Sequence, residues 1–473
     1  MALAPSVVAI NSCVHQGQPE EQPDIIFILT DQQSATMMSC AGNQWLNTPA
    51  MDYIAQNGIR FTRAYTTNPV STPARVSMMT GWMPARFHDE QGHPVLENNG
   101  GMRIREIPDD VIANNIGAVM KKAGYELVYG GKQHLPKALQ PETLGFQVIS
   151  KDERDQLAEQ VARYIKKEHT KPYFMFVSLI NPHDICYMAI RDFASTEGEK
   201  GIIKNGITEV ATLDEALKIP EGLSREVFFE SHCPPLPPNY EPQADEPQAI
   251  NWLLRLRPFR KNAREKYTDE QWRMHRWAYC RLTEVVDRQI QVILDALRES
   301  GREKNTLVLF SSDHGDMDGA HRLEHKTVLY EESANIPFLA MWKGRIAGGR
   351  VDSLHLVSNM FDLLPTVSDY AGYPVCPNPQ GKSLRPLFEN RKTAWRTCLC
   401  VESEVGRMVV DAENHKYIKY DVVGVEEQLL DLKADPYETT HFTTHPDYTV
   451  VLSTLRNQCQ GGGGIDMSGG RRN

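Results

Sequence analysis

The chain has 473 residues and a formal net charge of −10 at pH 7. That length exceeds what one hydrophobic core usually serves, so two domains are expected. The acidic balance, with no long basic run, excludes general nucleic-acid binding, and no apolar run is long enough to span a membrane.

Taken in order, residues 2–13 (ALAPSVVAINSC) form a short apolar run that ends in small residues before Cys13. They read either as the back half of a bacterial lipoprotein signal, with Cys13 the residue to be lipidated, or as a frayed tail. The lipoprotein reading makes residues 1–22 a signal remnant and tether, and it places the protein in the periplasm or on the outer surface. Residues 25–30 (IIFILT) are a continuous apolar run, the pattern of a parallel strand buried on both faces. The run ends at Asp31, Gln32 and Gln33, and open α/β sheets bind ligands at such strand ends. Residues 48–58 spell a helix, begun by Pro49, faced by Met51, Ile54 and Ala55, and stopped by Gly58. A short strand is expected over 61–66.

Residues 65–81 (YTTNPVSTPARVSMMTG) then change character at Ser71. The residues before it are polar and irregular; those after Pro73 turn apolar at helical spacing, with Val76 and Met79, up to Gly81. Proline suits the first turn of a helix, and Thr72 or Ser71 itself can cap that turn. Ser71 thus falls at a helix N-terminus, where free N–H groups and the macrodipole favour anionic oxygen. Arg75, roughly one turn in, adds a permanent cation. The plainer alternative is an ordinary helix start with a surface arginine.

Residues 109–124 read as one amphipathic helix with Ile112, Ile116, Val119 and Met120 on one side. A strand over 125–131 is followed by Lys132, Gln133 and His134. A charged helix covers 156–167. The most apolar strand, 173–180, is followed by Asn181, Pro182, His183 and Asp184. Residues 188–242 read as irregular and proline-rich, an insertion over the site. A long helix at 269–299 buries Leu282, Val285, Val286, Ile290, Ile293 and Leu294. The strand at 306–312 leads into Asp313, His314 and Gly315. Four apolar strands therefore end in polar, titratable residues. Their alternation with helices implies a mostly parallel sheet covered on both faces, with all four clusters along one edge.

After Pro386 the runs shorten, at 398–403, 407–412, 417–422 and 427–432, with a helix at 447–458. This is an antiparallel sheet with a helix, a smaller second domain. The fold class is α/β: a mostly parallel central sheet between helices, plus a C-terminal α+β domain. The boundaries are set at 23–386 and 387–460, with 461–473 a flexible tail. Nine cysteines are scattered through the chain; none has zinc spacing, and an odd number argues against a full disulfide framework.

Asp31, Asp313 and the amide of Gln32 are hard oxygen donors that suit Ca²⁺ or Mg²⁺, and His314 adds a nitrogen. Taken singly, each acid also suits a helix cap. Lys132, His134, His183 and Lys326 would surround an anion with donors, or stand singly as solvated loop charges.

The motifs LTDQQ (29–33), STPARVSMMTG (71–81), GKQHLP (131–136), NPHD (181–184) and SSDHGDMDGAH (311–321) with Lys326 strongly resemble the type I sulfatase family, with its alkaline-phosphatase-like fold. DLLPTV (362–367), GKSLRPL (381–387) and LDLKADPYET (430–439) extend the resemblance over about residues 23–445. The resemblance implies that residue 71 is oxidised after translation to formylglycine, an aldehyde whose hydrate attacks sulfur. This chain carries the serine form of the motif, as in bacterial sulfatases matured by an oxygen-independent radical enzyme, so a formylglycine-generating maturation enzyme is an implied partner. Carried over, the metal would be Ca²⁺, with Mg²⁺ second, held by Asp31, Gln32, Asp313, His314 and the oxygen at residue 71. Gln32 stands where a second aspartate is usual and His314 where asparagine is usual. Arg75 and Lys132 would hold the hydrate, His134 would act as base, and His183 or Lys326 would protonate or neutralise the leaving alkoxide.

The substrate implied is a sulfated oligosaccharide, as for glycosaminoglycan sulfatases of gut anaerobes. The leading choice is a heparan or chondroitin fragment cut at a uronate 2-O-sulfate from its non-reducing end. Arg255, Arg257 and Arg260 are either contacts for a uronate carboxylate or solvated helix charges. A metal-dependent phosphodiesterase or phosphonate monoester hydrolase of the same fold is the alternative enzyme, with serine itself as nucleophile. A surface lipoprotein that binds sulfated glycans without cleaving them is the non-enzymatic alternative.

Overall fold

The computed structural model describes residues 22–373 and 380–461. Cys13 with the expected signal remnant, and the expected tail beyond residue 461, lie outside the described residues. Eight strands form the main sheet: β1 (Asp24–Asp31), β2 (Gly58–Phe61), β3 (Glu126–Gly131), β4 (Gln147–Ser150), β5 (Tyr173–Pro182), β6 (Thr306–Ser312), β7 (Phe338–Met341) and β8 (Arg350–Asp352). Their order is β4-β3-β5-β1-β6-β7-β2-β8. From β4 to β6 every pairing is parallel, so the carboxyl ends of β3, β5, β1 and β6 lie along one edge, as expected. β7 runs antiparallel to both its neighbours.

The central strands are apolar throughout because both faces of the sheet are covered. Helices α1 (Pro49–Gln56), α2 (Ser71–Thr80), α3 (Asp109–Asn114), α4 (Ile116–Lys122) and α5 (Leu157–Ile165) precede β5. Alternate side chains of a strand face opposite ways. Ile25, Phe27 and Leu29 of β1 accordingly pack with α2 and α4, through Val76, Met79, Val119 and Met120. Ile26 and Ile28 pack with α1 and α5, through Met51, Ile54, Leu157 and Val161.

Three local expectations need correction. Residues 109–124 are not one helix: Asn115 is extended (φ −66°, ψ 163°) and caps α4, its side chain accepting from the Ala118 N–H at 2.9 Å. An asparagine offered as a cap starts a new helix instead of continuing the old one. Ile112 is consequently left 55% exposed. The first short strand begins at Gly58, not at 61, and Ala64 and Tyr65 form isolated bridges. Gly58 packs so closely on β7 that a Cβ there would meet the Ala340 carbonyl oxygen at 2.0 Å. The stretch 188–242 is not irregular: it carries α6 (Tyr187–Phe193), α7 (Glu197–Asn205), α8 (Ile207–Ala216) and α9 (Arg225–Ser231). A capping box between Thr196 and Glu199 starts α7. Two further helices, α10 (Gln248–Leu256) and α11 (Pro258–Lys266), lead into the long helix α12 (Asp269–Glu299).

The C-terminal region forms a separate antiparallel sheet of β9 (Cys398–Ser403), β10 (Gly406–Asp411), β11 (His415–Tyr420) and β12 (Glu426–Asp431), followed by a helix at Thr449–Gly461. One face of this sheet packs on that helix through Val409, Tyr417 and Leu429 against Leu452 and Leu455. The other packs on the main body, with Val401, Met408 and Ile418 against Tyr65, Met83, Leu253 and Tyr330. Lys416 of β11, fully buried, pins the junction: its Nζ lies 2.6 Å from Glu438 and 2.6 Å from Glu331 and donates to the Leu329 carbonyl at 3.1 Å. Burial opposes its charge, but Glu331 and Glu438 outweigh that and hold the ammonium above its ordinary range.

Replacing Lys416 by Met strands the buried carboxylate of Glu438 and should cost about 3–5 kcal/mol. The thermal midpoint of the full-length protein measures this; a midpoint equal to wild type would show that the junction does not depend on the pair.

Candidate active site

The site grows from the four strand ends. Asp31 closes β1, and Asp313 and His314 follow β6; all three are fully buried. Ser71 is the first residue of α2. The helix is capped by neither Ser71 nor Thr72: Val70 takes the cap position, and the Thr72 N–H is met from outside by Asn98 Oδ1 at 3.2 Å. The Ser71 hydroxyl is therefore free of capping. It lies 3.0 Å from His314 Nε2, and 3.2 and 3.5 Å from the two Asp31 oxygens.

Arg75, fully buried one turn into α2, is the hub. Its Nε donates to Asp313 Oδ2 (2.9 Å) and its Nη2 to Asp31 Oδ2 (3.1 Å). Its Nη1 donates to Ser178 Oγ (2.7 Å) and to the Lys132 carbonyl (3.1 Å). Lys132 adds a second cation to Asp31, 2.6 Å away. Burial pushes the Asp31 carboxyl up, but Lys132, Lys326 and Arg75 overcome it and hold the group well below the usual carboxylate range. Asp313 is pushed up to about 6 by burial and by the charge of Asp31.

Oxygens of Asp31 and Asp313 and a nitrogen of His314 all lie within 4.8 Å of one another. His314 Nδ1 is 2.9 Å from the Gly315 carbonyl, which only accepts, so Nδ1 carries the proton and Nε2 turns its lone pair to the acids. Two carboxylates and an imidazole lone pair, converging without thiolates, fit a hard divalent cation. Gln32 stands beside them at φ 70°. Its backbone N–H donates to Asp313 Oδ1 (3.2 Å), and its amide bridges Asp316 Oδ2 (2.7 Å) and Lys326 Nζ (2.9 Å).

Above this floor lies a cavity of about 640 Å³, walled by Lys132, His134, His183 and Lys326 among others. Burial, then Lys132, drives the His134 ring down to about 3 and the His183 ring well below its ordinary value, so both are neutral at pH 7. Neither ring's Nδ1 has a hydrogen-bond partner among the described residues. His134 has φ 43°, and His325 and Thr327, which flank Lys326, have φ 68° and 91°. Backbone strain of this kind concentrates where side chains must be aimed.

Every residue singled out for chemistry thus arrives at one place. Of the three arginines near the insertion, Arg257 and Arg260 line the cavity; Arg255 sits exposed in the last turn of α10 and does not line it. Sequence reasoning missed Asp316, Ser178 and Asn98. Asp316 lies two residues past His314 and Ser178 is a hydroxyl inside an apolar strand, both readable signals. Nothing local marks Asn98.

A buried hydroxyl at a helix start, under a cation-walled cavity, is the site of an α/β ester hydrolase. The chain belongs to the sulfatase family: the Sulfatase model matches residues 23–373. A second model, N-sulphoglucosamine sulphohydrolase, C-terminal, matches residues 319–461. The Delta 4,5-hexuronate-2-O-sulfatase of Bacteroides thetaiotaomicron is 25% identical, over 94% of this chain and 89% of its own. The N-acetylglucosamine-6-O-sulfatase of the same organism is also 25% identical, over 94% of this chain and 87% of its own. A solved 2-O GAG sulfatase has the same fold, with a TM-score of 0.76 at 23% identity, covering 93% of this chain and 92% of the other. The phosphonate monoester hydrolase of Agrobacterium radiobacter shares it at a TM-score of 0.65 and 19% identity, covering 92% and 96%.

Ser178→Ala removes an acceptor from a fully buried guanidinium and should cost about 1–3 kcal/mol. A thermal midpoint that does not fall would show that Arg75 is held without it.

Proposed function

We propose that this protein is a sulfatase that cleaves a sulfate ester of a glycosaminoglycan oligosaccharide, using a formylglycine made from Ser71 and a bound Ca²⁺ ion. The observation that carries the reading is the placement of Ser71, its hydroxyl 3.0 Å from His314 and 3.2 Å from Asp31 under a cavity walled by cations. Asp31, Gln32, Asp313 and His314 would hold the cation together with the oxygen at residue 71. When bound, such a cation supplies positive charge against the sulfuryl oxygens. When residue 71 is an aldehyde hydrate, it supplies one hydroxyl as nucleophile and a second whose deprotonation expels sulfate.

The chain's own groups do the rest. The N-terminus of α2 and Arg75 favour an oxyanion at residue 71. Lys132 and Lys326 face the sulfate's charge. His134, neutral and with a free ring nitrogen, is placed to take a proton. For the leaving alkoxide, His183 is neutral, so Lys326 is the group that brings a proton; burial pushes its ammonium down, against the pull of Asp31, and makes it a readier acid. Export as a lipoprotein anchored at Cys13 and an anaerobic-type maturation enzyme complete the reading, supported by residues 2–13 and by the serine form of the motif. The phosphonate hydrolase reading rests on likeness of fold alone.

Protein made with a maturation enzyme should carry the aldehyde, seen in the mass of the peptide spanning residues 64–75. Ser71→Ala should abolish turnover; it removes the hydroxyl's contacts with His314 and Asp31 but leaves Asp31 paired to Arg75 and Lys132, so it should cost about 1 kcal/mol of stability. Full activity with an unmodified Ser71 peptide would refute the formylglycine mechanism and turn the assignment to serine as nucleophile. The positional choice follows the relative named a hexuronate-2-O-sulfatase. Mature enzyme should release sulfate from a non-reducing 2-sulfated uronate; release from 6-sulfated glucosamine instead would overturn the position and keep the class.

A further inference from the structure

The cavity has a second cationic corner that the chemistry at residue 71 does not use. Arg257 caps the start of α11 and Arg260 follows three residues on; both line the cavity with Lys326. Arg260 is 8% exposed. Its Nη1 donates to the Lys326 carbonyl at 3.4 Å and its Nη2 meets His325 Nδ1 at 3.3 Å. Arginine only donates, so His325 Nδ1 accepts and the ring proton sits on Nε2, 3.0 Å from the Cys186 carbonyl. Arg260 is thus held against the loop that carries Lys326, and His325 ties that loop to the turn that carries His183.

Its charge is poorly matched from within the protein. Its Nε is buried with no hydrogen-bond partner among the described residues. Glu324 Oε1 is 3.8 Å from that Nε, and Glu324 Oε2 lies 2.8 Å from His325 Nε2. Arg257, exposed beside it, donates to the carbonyl of its own neighbour Leu256 at 3.3 Å. Burial, then Arg257, pushes the Arg260 guanidinium down to about 10, with Glu404 on the cavity wall opposing the shift; it stays charged at neutral pH. Two neighbouring guanidiniums in a partly dry wall are unfavourable alone and strongly favourable around a planar or tetrahedral anion. The distance from the reacting centre is set by one residue: the Lys326 carbonyl touches Arg260, while its ammonium is 2.9 Å from Gln32 Oε1. One lysine side chain is comparable to the span of one sugar ring.

We infer that Arg257 and Arg260 form a subsite for a second acidic group on the sugar that bears the scissile sulfate, or on its neighbour. The enzyme would then select doubly anionic substrates over singly anionic ones. This rests on the sulfatase reading above, and two acidic groups satisfy the same chemistry: a uronate carboxylate and a second sulfate.

The test uses mature full-length enzyme and three sulfated glycosides with the same scissile ester, one with a neighbouring carboxylate, one with a second sulfate and one with neither. Arg257→Ala should lower kcat/KM on at least one acid-bearing substrate relative to the neutral one by tenfold or more, mainly through KM. A loss confined to the carboxylate arm assigns a uronate, and one confined to the sulfate arm assigns a disulfated sugar. Arg260→Lys, which keeps charge but loses the fork, should fall between wild type and Arg260→Ala. An equal fall on all three substrates, or an unchanged ratio, overturns the subsite. Calorimetric binding of the same glycosides to Ser71→Ala protein, with and without Arg257→Ala, decides the subsite without turnover. If mature enzyme cleaves no sulfate ester, the functional reading fails, while a tenfold loss of that binding still upholds the subsite and its absence overturns it.

Discussion

One guanidinium holds the active edge of this molecule together. Arg75 touches Asp31 of β1, Asp313 after β6, Ser178 of β5 and the Lys132 carbonyl after β3. Four adjacent strands are therefore read by a single side chain, and that side chain belongs to the helix whose first residue is Ser71. Two fully buried carboxylates on neighbouring strands would repel in so dry a place. Arg75 makes their proximity tolerable and, by the same contacts, fixes where the helix start sits over the sheet edge. Lys132 loads a second cation onto Asp31 alone. The result is asymmetric, with Asp31 firmly ionised and Asp313 much closer to neutrality.

The same logic runs outward from the floor. Each ring in the cavity is neutral because burial and nearby ammonium groups oppose a further positive charge. Positive charge is concentrated instead in lysine and arginine side chains, which donate hydrogen bonds and accept none: Arg75, Lys132, Lys326, Arg257 and Arg260. A pocket built this way receives anions, and a bound anion, by offsetting the lysines, is what lets its imidazoles accept a proton.

Much of this was legible in the sequence, for identifiable reasons. Parallel strands covered on both faces appear as unbroken apolar runs, so β1, β3, β5 and β6 and the residues that follow them stand out, and with them Asp31, Lys132, His183 and Asp313. What escaped was short or non-local. The 188–242 stretch hides four helices of seven to ten residues, too brief and too charged for periodicity to show them against its prolines. Asn115 reads as one polar residue in a helix until its side chain is seen capping the next one. Asn98 reaches Thr72 across 26 residues, a contact that no local pattern records. Arg260 carries no mark separating it from Arg255; burial alone distinguishes the two, and burial is set by how α10 and α11 turn against the Lys326 loop.

The turn between β9 and β10 belongs to the smaller sheet, yet it reaches the cavity. The Glu402 N–H donates to the Thr67 carbonyl and its carboxylate accepts from the Ala85 N–H, while Ser403 donates to the Thr327 carbonyl and Glu404 lines the wall beside Arg260. The small sheet therefore does not merely abut the large one; it supplies part of the rim through Glu404 at a hairpin tip that the fully buried Val405 seats in the core shared by the two sheets. The half-buried side chain at 404 can change in charge while Val405 and Gly406 hold the length and seating of the hairpin. One codon far from those of the reacting residues thus tunes the charge of the cavity rim, and the fold around it stays as it is.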